Sequence, residues 1–102
     1  VMGPEAKIEK MACDYARRLG CYTRKFKSTS QRGVPDRLFI SNTGKVFFIE
    51  FKASGKKPTA LQLREISLIN SSMGELINSK MGSAHWADSL ESAKEIIDSH
   101  CK

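Results

Sequence analysis

Residues 33–52 read GVPDRLFISNTGKVFFIEFK, and the turn at their centre decides the fold. Two β-rich runs, RLFIS and KVFFIEF, flank Asn42-Thr43-Gly44. A three-residue loop with glycine last suits a type I turn followed by a left-handed residue, the G1-bulge hairpin. That register opposes Ser41 with Lys45, Ile40 with Val46, Leu38 with Phe48, and hence Asp36 with Glu50. Directly opposed residues share a face, with Cβ atoms about 4.5–5.5 Å apart. Lys52, two residues beyond Glu50, points to the same face. A loop one residue longer would set Asp36 against Phe51, so the meeting of two carboxylates and an ammonium rests on Gly44.

Charged residues at the end of an apolar run lose solvation unless they are paired or used. Two carboxylates on a strand pair suit a hard divalent cation, Mg²⁺ or Mn²⁺, which keeps several waters and also accepts phosphate oxygens. A neighbouring lysine can hold the attacking water or neutralise charge on the phosphate, which completes a kit for phosphodiester hydrolysis. The same three groups also fit a plain salt-bridged strand end, and the pairing alone does not choose between the two.

Outward from the hairpin, residues 5–19 form an amphipathic helix with Ile8, Ala12, Tyr15 and Leu19 on one stripe, flanked by Met11 and Ala16. Pro4 suits its first turn and Gly20 its end. Glu5 falls about 50° from the centre of the apolar stripe and Glu9 about 90° away, which sets Glu5 nearer the core. Residues 21–27, CYTRKFK, read as a short strand before the polar loop STSQRG. After ASGKKP, Thr59 caps a helix from about Ala60 to Met73, with Gln62, Ile66, Ile69 and Met73 on one stripe. TALQ fits a capping box that engages Gln62. The segment ELINSKMGS either prolongs that helix or forms an inserted loop. AHWA reads as a strand, and DSLE opens a final helix with Leu90, Ala93, Ile96 and Ile97 on one face.

The 102 residues suit one domain over 1–102, with 40% hydrophobic and 27% charged residues. No apolar run reaches the roughly 18 residues of a membrane helix and no signal-peptide pattern is present, so a cytoplasmic protein with no membrane partner is expected. Three cysteines (Cys13, Cys21, Cys101) match no metal-site spacing, and three free thiols are expected. The net charge of +6 favours a polyanion. Its cations concentrate between residues 24 and 57, where Arg24, Lys25, Lys27, Arg32, Arg37, Lys56 and Lys57 surround the carboxylate pair as candidate DNA-backbone contacts.

Pro35-Asp36, then 13 residues, then Glu50-Phe51-Lys52 matches the PD-(D/E)XK signature of restriction-endonuclease-like nucleases. The glycine of GVPD, the upstream helical glutamate and Gln62, ten residues after Lys52, resemble more narrowly the virus-type replication-repair nuclease (VRR-NUC) domain. The resemblance runs from Glu5 to about Ile97. It implies an α/β, restriction-endonuclease-like αβββαβ core with a mixed central sheet, an antiparallel meander extended by one parallel strand, and a C-terminal helix. It further implies that Asp36, Glu50 and the Phe51 carbonyl ligate Mg²⁺ or Mn²⁺, with Glu5, or alternatively Glu9, as a further ligand. Lys52 would activate the water and Gln62 would stand beside the site and the DNA. The implied protein is a homodimeric endodeoxyribonuclease that cuts branched DNA such as four-way (Holliday) junctions. The chain departs from the family after the Gln62 helix, where either Gly74 or Gly82 fits the glycine before the last strand. Two readings of other classes stand beside it. One is a non-catalytic basic nucleic-acid-binding module with a structural acidic cluster. The other is a zinc-stabilised domain built on Cys13, Cys21, His85, His100 or Cys101.

Overall fold

The Asn42-Thr43-Gly44 turn closes as its chemistry dictates. Gly44 takes φ 87°, its N–H donates to the Ser41 carbonyl at 2.9 Å, and the Ser41 N–H donates to the Lys45 carbonyl at 2.8 Å. The flanking strands, Arg37–Ile40 and Val46–Phe51, pair antiparallel with Ile40 opposite Val46 and Leu38 opposite Phe48. This is the register that the turn alone predicts.

The computed structural model describes residues 2–77 and 83–101. The elements run α1 (Pro4–Arg18), β1 (Tyr22–Lys25), β2 (Arg37–Ile40), β3 (Val46–Phe51), α2 (Ala60–Ile77), β4 (Ala84–Ala87) and α3 (Leu90–Cys101). The sheet order is β1-β2-β3-β4, with β4 parallel to β3 and the other pairs antiparallel, so the meander with one added parallel strand is realised. Strand β1 is shorter than the 21–27 expected, although the Phe26 N–H still donates to the Asp36 carbonyl at 2.7 Å. Helix α2 continues past Met73 through Gly74 to Ile77. An interior glycine weakens a helix by only about 1 kcal/mol, and Glu75 and Leu76 are good helix formers. Gly74 therefore does not end the helix, and Gly82 lies outside the described residues. Asn70 clasps the β4 backbone, donating to the Ala84 carbonyl at 3.0 Å and accepting from the Ala84 N–H at 2.7 Å.

One face of the sheet makes the core. Phe39, Phe47, Ile49 and Phe51 are fully buried there against Ala12, Cys13 and Ala16 of α1 and Ala93 and Ile97 of α3. Phe39 stacks on Phe47 at 5.0 Å, and the His100 ring stacks on the other side of Phe47 at 4.3 Å. The small residues of α1 let its backbone approach closely, and they correct the expected roll of that helix. Met11 is 51% exposed, while Cys13 is buried. The buried stripe runs through Ala12, Cys13 and Ala16, with Ile8, Tyr15 and Leu19 packed at its border. The cysteines depart from expectation as well. Cys21 and Cys101 meet sulfur to sulfur across 80 residues of chain, and only Cys13 is a free thiol. An odd count guarantees one unpaired cysteine but does not exclude one pair. Among the described residues no helix is long and apolar enough to cross a membrane.

Candidate metal centre

On the opposite face of the sheet, the open end of the hairpin gathers the charged residues. Glu50 is 8% exposed, at the inner end of β3. Burial pushes its carboxyl up to about 7, and the Asp36 and Glu5 carboxylates push the same way, while Lys52 and the Asp36 backbone N–H pull against them. These influences identify the residues that surround Glu50: Asp36 from the start of β2, Lys52 from the end of β3, and Glu5 from the first turn of α1. The Lys52 N–H donates to the Ala87 carbonyl at 2.8 Å, which fixes the backbone after Phe51 against β4. Trp86 stands opposite Glu50 in the parallel register and flanks it on the same face. Asp36 is the open partner, with a side-chain exposure of 46%.

The two helical glutamates separate into different roles. Glu9, expected to be the more solvated, has a side chain only 13% exposed and lies 3.1 Å from Lys25 and 3.7 Å from Arg37. Glu5 is exposed, the reverse of the expected order, yet it is Glu5 whose charge reaches Glu50. The roll turns the line through Glu5, Glu9 and Cys13 toward the sheet, and Glu5 is exposed nonetheless because it lies in the first turn of α1. Lys25 bridges the two groups, 3.8 Å from Asp36, and its hydrogen bond to Glu9 raises its pKa. Arg37 points to the α1 side, where its Nε–H donates to the Cys13 sulfur at 3.0 Å. Of the candidate DNA contacts, Arg24, Lys25, Lys27, Arg32, Lys56 and Lys57 are exposed, and Arg37 is half-buried.

Gln62 forms the capping box: the Thr59 N–H donates to its Oε1 at 2.9 Å, and its own N–H donates to the Thr59 hydroxyl at 3.2 Å. The glycine of GVPD is explained by the same helix end. A Cβ on Gly33, at φ 87°, would lie 2.7 Å from the Leu61 carbonyl oxygen and 3.1 Å from the Gln62 nitrogen. Gly33, three residues before Asp36, is thus pressed onto the first turn of α2.

Among the described residues, no three His, Cys, Asp or Glu side chains gather closely enough to hold an ion by themselves. Among these residues no closed, zinc-type cage is formed. His85 and His100 meet each other through their Nε2 atoms at 3.1 Å, Cys13 lies against Arg37, and Cys21 lies against Cys101. It is consistent with Mg²⁺ or Mn²⁺, since Mg²⁺ is held through one or two carboxylates and keeps several waters. The chemistry of the donor set fits such an ion. Glu50 is a buried carboxylate beside a second carboxylate, and each would be relieved by a cation between them.

No family model matches the sequence. A protein named "Putative nuclease p44", from Acyrthosiphon pisum secondary endosymbiont phage 1, is 49% identical over 61 residues, which span 60% of this chain and 66% of that protein, just under two thirds. A solved structure described as a VRR_NUC domain superposes with a TM-score of 0.79 over 95% of this chain and 97% of that one, at 24% identity.

Proposed function

From a chain that carries the VRR_NUC fold and has a phage relative named as a nuclease, we propose a divalent-metal-dependent DNA endonuclease. The observation that carries this reading is Glu50, a carboxylate buried beside Asp36 and Glu5 with Lys52 alongside. Burying such a group costs stability, and carboxylates gathered in this way are characteristic of sites where a cation is used. Asp36, Glu50 and the Phe51 carbonyl would hold Mg²⁺ or Mn²⁺, with Glu5 reaching the ion through water. When bound, the ion supplies Lewis acidity toward the scissile phosphate and a lowered water pKa. Lys52 orients the attacking water and offsets charge developing on the phosphate. Glu9 acts as a positioning residue that holds Lys25 beside Asp36. Exposed Arg24, Lys27, Arg32, Lys56 and Lys57 bind the backbone of the substrate. Gln62, next to the Gly33–Asp36 segment, steadies that segment and lies near the strand being cut. A homodimer with two such sites related by a two-fold axis suits a two-fold substrate such as a four-way junction.

The test is nicking and junction cleavage with Mg²⁺ or Mn²⁺ by wild type, Asp36→Ala and Lys52→Ala. Each variant should lose at least about 10²-fold in rate. Undiminished cleavage by both would remove the catalytic assignment. Binding that is equally tight with and without divalent metal, and no cleavage by wild type, would instead identify a non-catalytic nucleic-acid-binding module. Glu5→Ala should reduce metal-dependent cleavage more than Glu9→Ala, and the opposite order would make Glu9 the ligand.

A further inference from the structure

Strand β1 is an edge strand whose outward aromatic residues, Tyr22 and Phe26, the proposed chemistry does not use. Tyr22 pairs with Ile40 and Arg24 with Leu38, and the Phe26 N–H reaches the Asp36 carbonyl. Because opposed residues share a face, Tyr22, Arg24 and Phe26 lie on the face that carries Asp36, Glu50 and Lys52. The ring contact between Phe26 and Phe48, 5.8 Å between centroids, fixes that side independently. Two of the three are aromatic and open to solvent, Tyr22 at 50% and Phe26 at 43% exposure. The guanidinium of Arg24 lies over the Tyr22 ring at 4.5 Å. Directly after Phe26, the loop through residues 27–34 walls a polar cavity of about 440 Å³ whose lining includes Lys27, Arg32 and Asp36.

Exposed aromatic rings alternating with arginine, followed by a basic cavity, match the two components of single-stranded nucleic acid. Bases stack on rings and guanidinium planes, and phosphates take the cations. A paired duplex keeps the stacking faces of its bases inside and offers a protein only base edges and backbone. We propose, resting on the nuclease reading, that the outward face of β1 seats unpaired nucleotides of the substrate. The strand then runs from Tyr22 and Phe26 through the Lys27–Arg32 cavity to the phosphate at Asp36. The enzyme's substrate is therefore branched DNA with unpaired bases beside the cut, as at a fork or at a junction whose branch point is open, not continuous duplex. Positive charge on this path complements the polyanion, which distinguishes it from a face made for an apolar protein partner.

The test is binding without divalent metal, so that it does not depend on catalysis. Wild type, Tyr22→Ala, Phe26→Ala and Phe26→Trp are titrated with fluorescein-labelled dT20, a forked duplex and a blunt duplex of equal length. Phe26→Ala should weaken dT20 and fork binding about tenfold while leaving the blunt duplex unchanged, with Tyr22→Ala acting the same way and Phe26→Trp restoring affinity. An equal loss on all three DNAs, or no loss on dT20, overturns the proposal and leaves the nuclease reading standing. A change in sedimentation of the Phe26→Ala protein with DNA binding unaltered also overturns it, and assigns this face to self-association. Undiminished cleavage by Asp36→Ala and Lys52→Ala, with the Phe26 result as expected, removes the nuclease reading and leaves a single-strand-binding face.

Discussion

The two faces of β3 obey opposite rules. On one, Phe47, Ile49 and Phe51 are buried against small residues of α1 and α3, with the Arg37–Glu9 ion pair at the border of the apolar cluster. On the other, Phe48 leads to Glu50 and Lys52, and a carboxylate is buried among carboxylates. The same strand thus alternates residues that hold the fold together with residues that the fold would be steadier without. Such alternation is the pattern expected where a site is built on a rigid element, with stability given up locally for chemistry.

Substitutions can separate the faces. Phe47→Ala on the core face removes the ring between Phe39 and His100 and should lower stability by about 3–5 kcal/mol, measured by urea unfolding. A loss under about 1 kcal/mol would show that this face does not hold the core. Glu50→Gln on the other face should do the reverse in metal-free protein. The folded pKa of Glu50 lies at about 7, above its ordinary 4.5, so protonation stabilises the fold at low pH. That contribution is lost as pH rises from 4.5 through 7. At pH 8 the glutamine variant should therefore be the more stable by an amount on the order of 2 kcal/mol, and the advantage should vanish near pH 4. Mg²⁺ or Mn²⁺ should raise the melting temperature of wild type and not of the variant. A variant less stable than wild type at pH 8 without metal would contradict the account of this face.

The smallest effect is expected from His100, and its sign is opposite. Burial first, then His85 and Lys45, lower its pKa from 6.5 to about 4, so the folded state prefers the neutral ring. Its contribution is present above pH 6.5 and is lost as pH falls toward 4. Wild type should lose on the order of 1–2 kcal/mol relative to His100→Gln over that window, read from melting temperatures at matched pH. Parallel curves for the two proteins would show that the His100 ring titrates normally. Acid thus relieves the carboxylate face and strains the core face.

Much of the fold was legible in residues 33–52 because hairpin register is a local property. Asn42-Thr43-Gly44 admits one turn geometry, and counting outward from it brings Asp36 to Glu50 with no knowledge of the rest. The capping box at Thr59 and Gln62 followed from spacing of the same kind. The cap of α3 did not, since Ser89 accepts from the Ser92 N–H while Asp88 of DSLE turns to Gly55, and the parallel return to β4 was implied by the family resemblance alone. The roll of α1 did not follow from spacing either. Helical periodicity finds an apolar stripe, but whether the sheet meets it at Met11 or at Cys13 depends on how closely backbones can approach. Ala12, Cys13 and Ala16 decide that only once the sheet is present. Glu9 was consequently assigned to solvent, where the structure gives it Lys25 and Arg37. The side taken by Phe26 was not legible either, because residues 26–36 join β1 to β2 and so long a loop fixes no register; only the pairing itself sets Phe26 opposite Asp36.

The sequence by itself determined the hairpin, the carboxylate pair at its open end and the lysine beside them, because these follow from a three-residue turn and a period of two. Only the tertiary structure decided which helical glutamate faces Glu50, that Cys21 meets Cys101, and that His100 stacks in the core. Each of those depends on contacts between residues far apart in the chain, which no local spacing encodes.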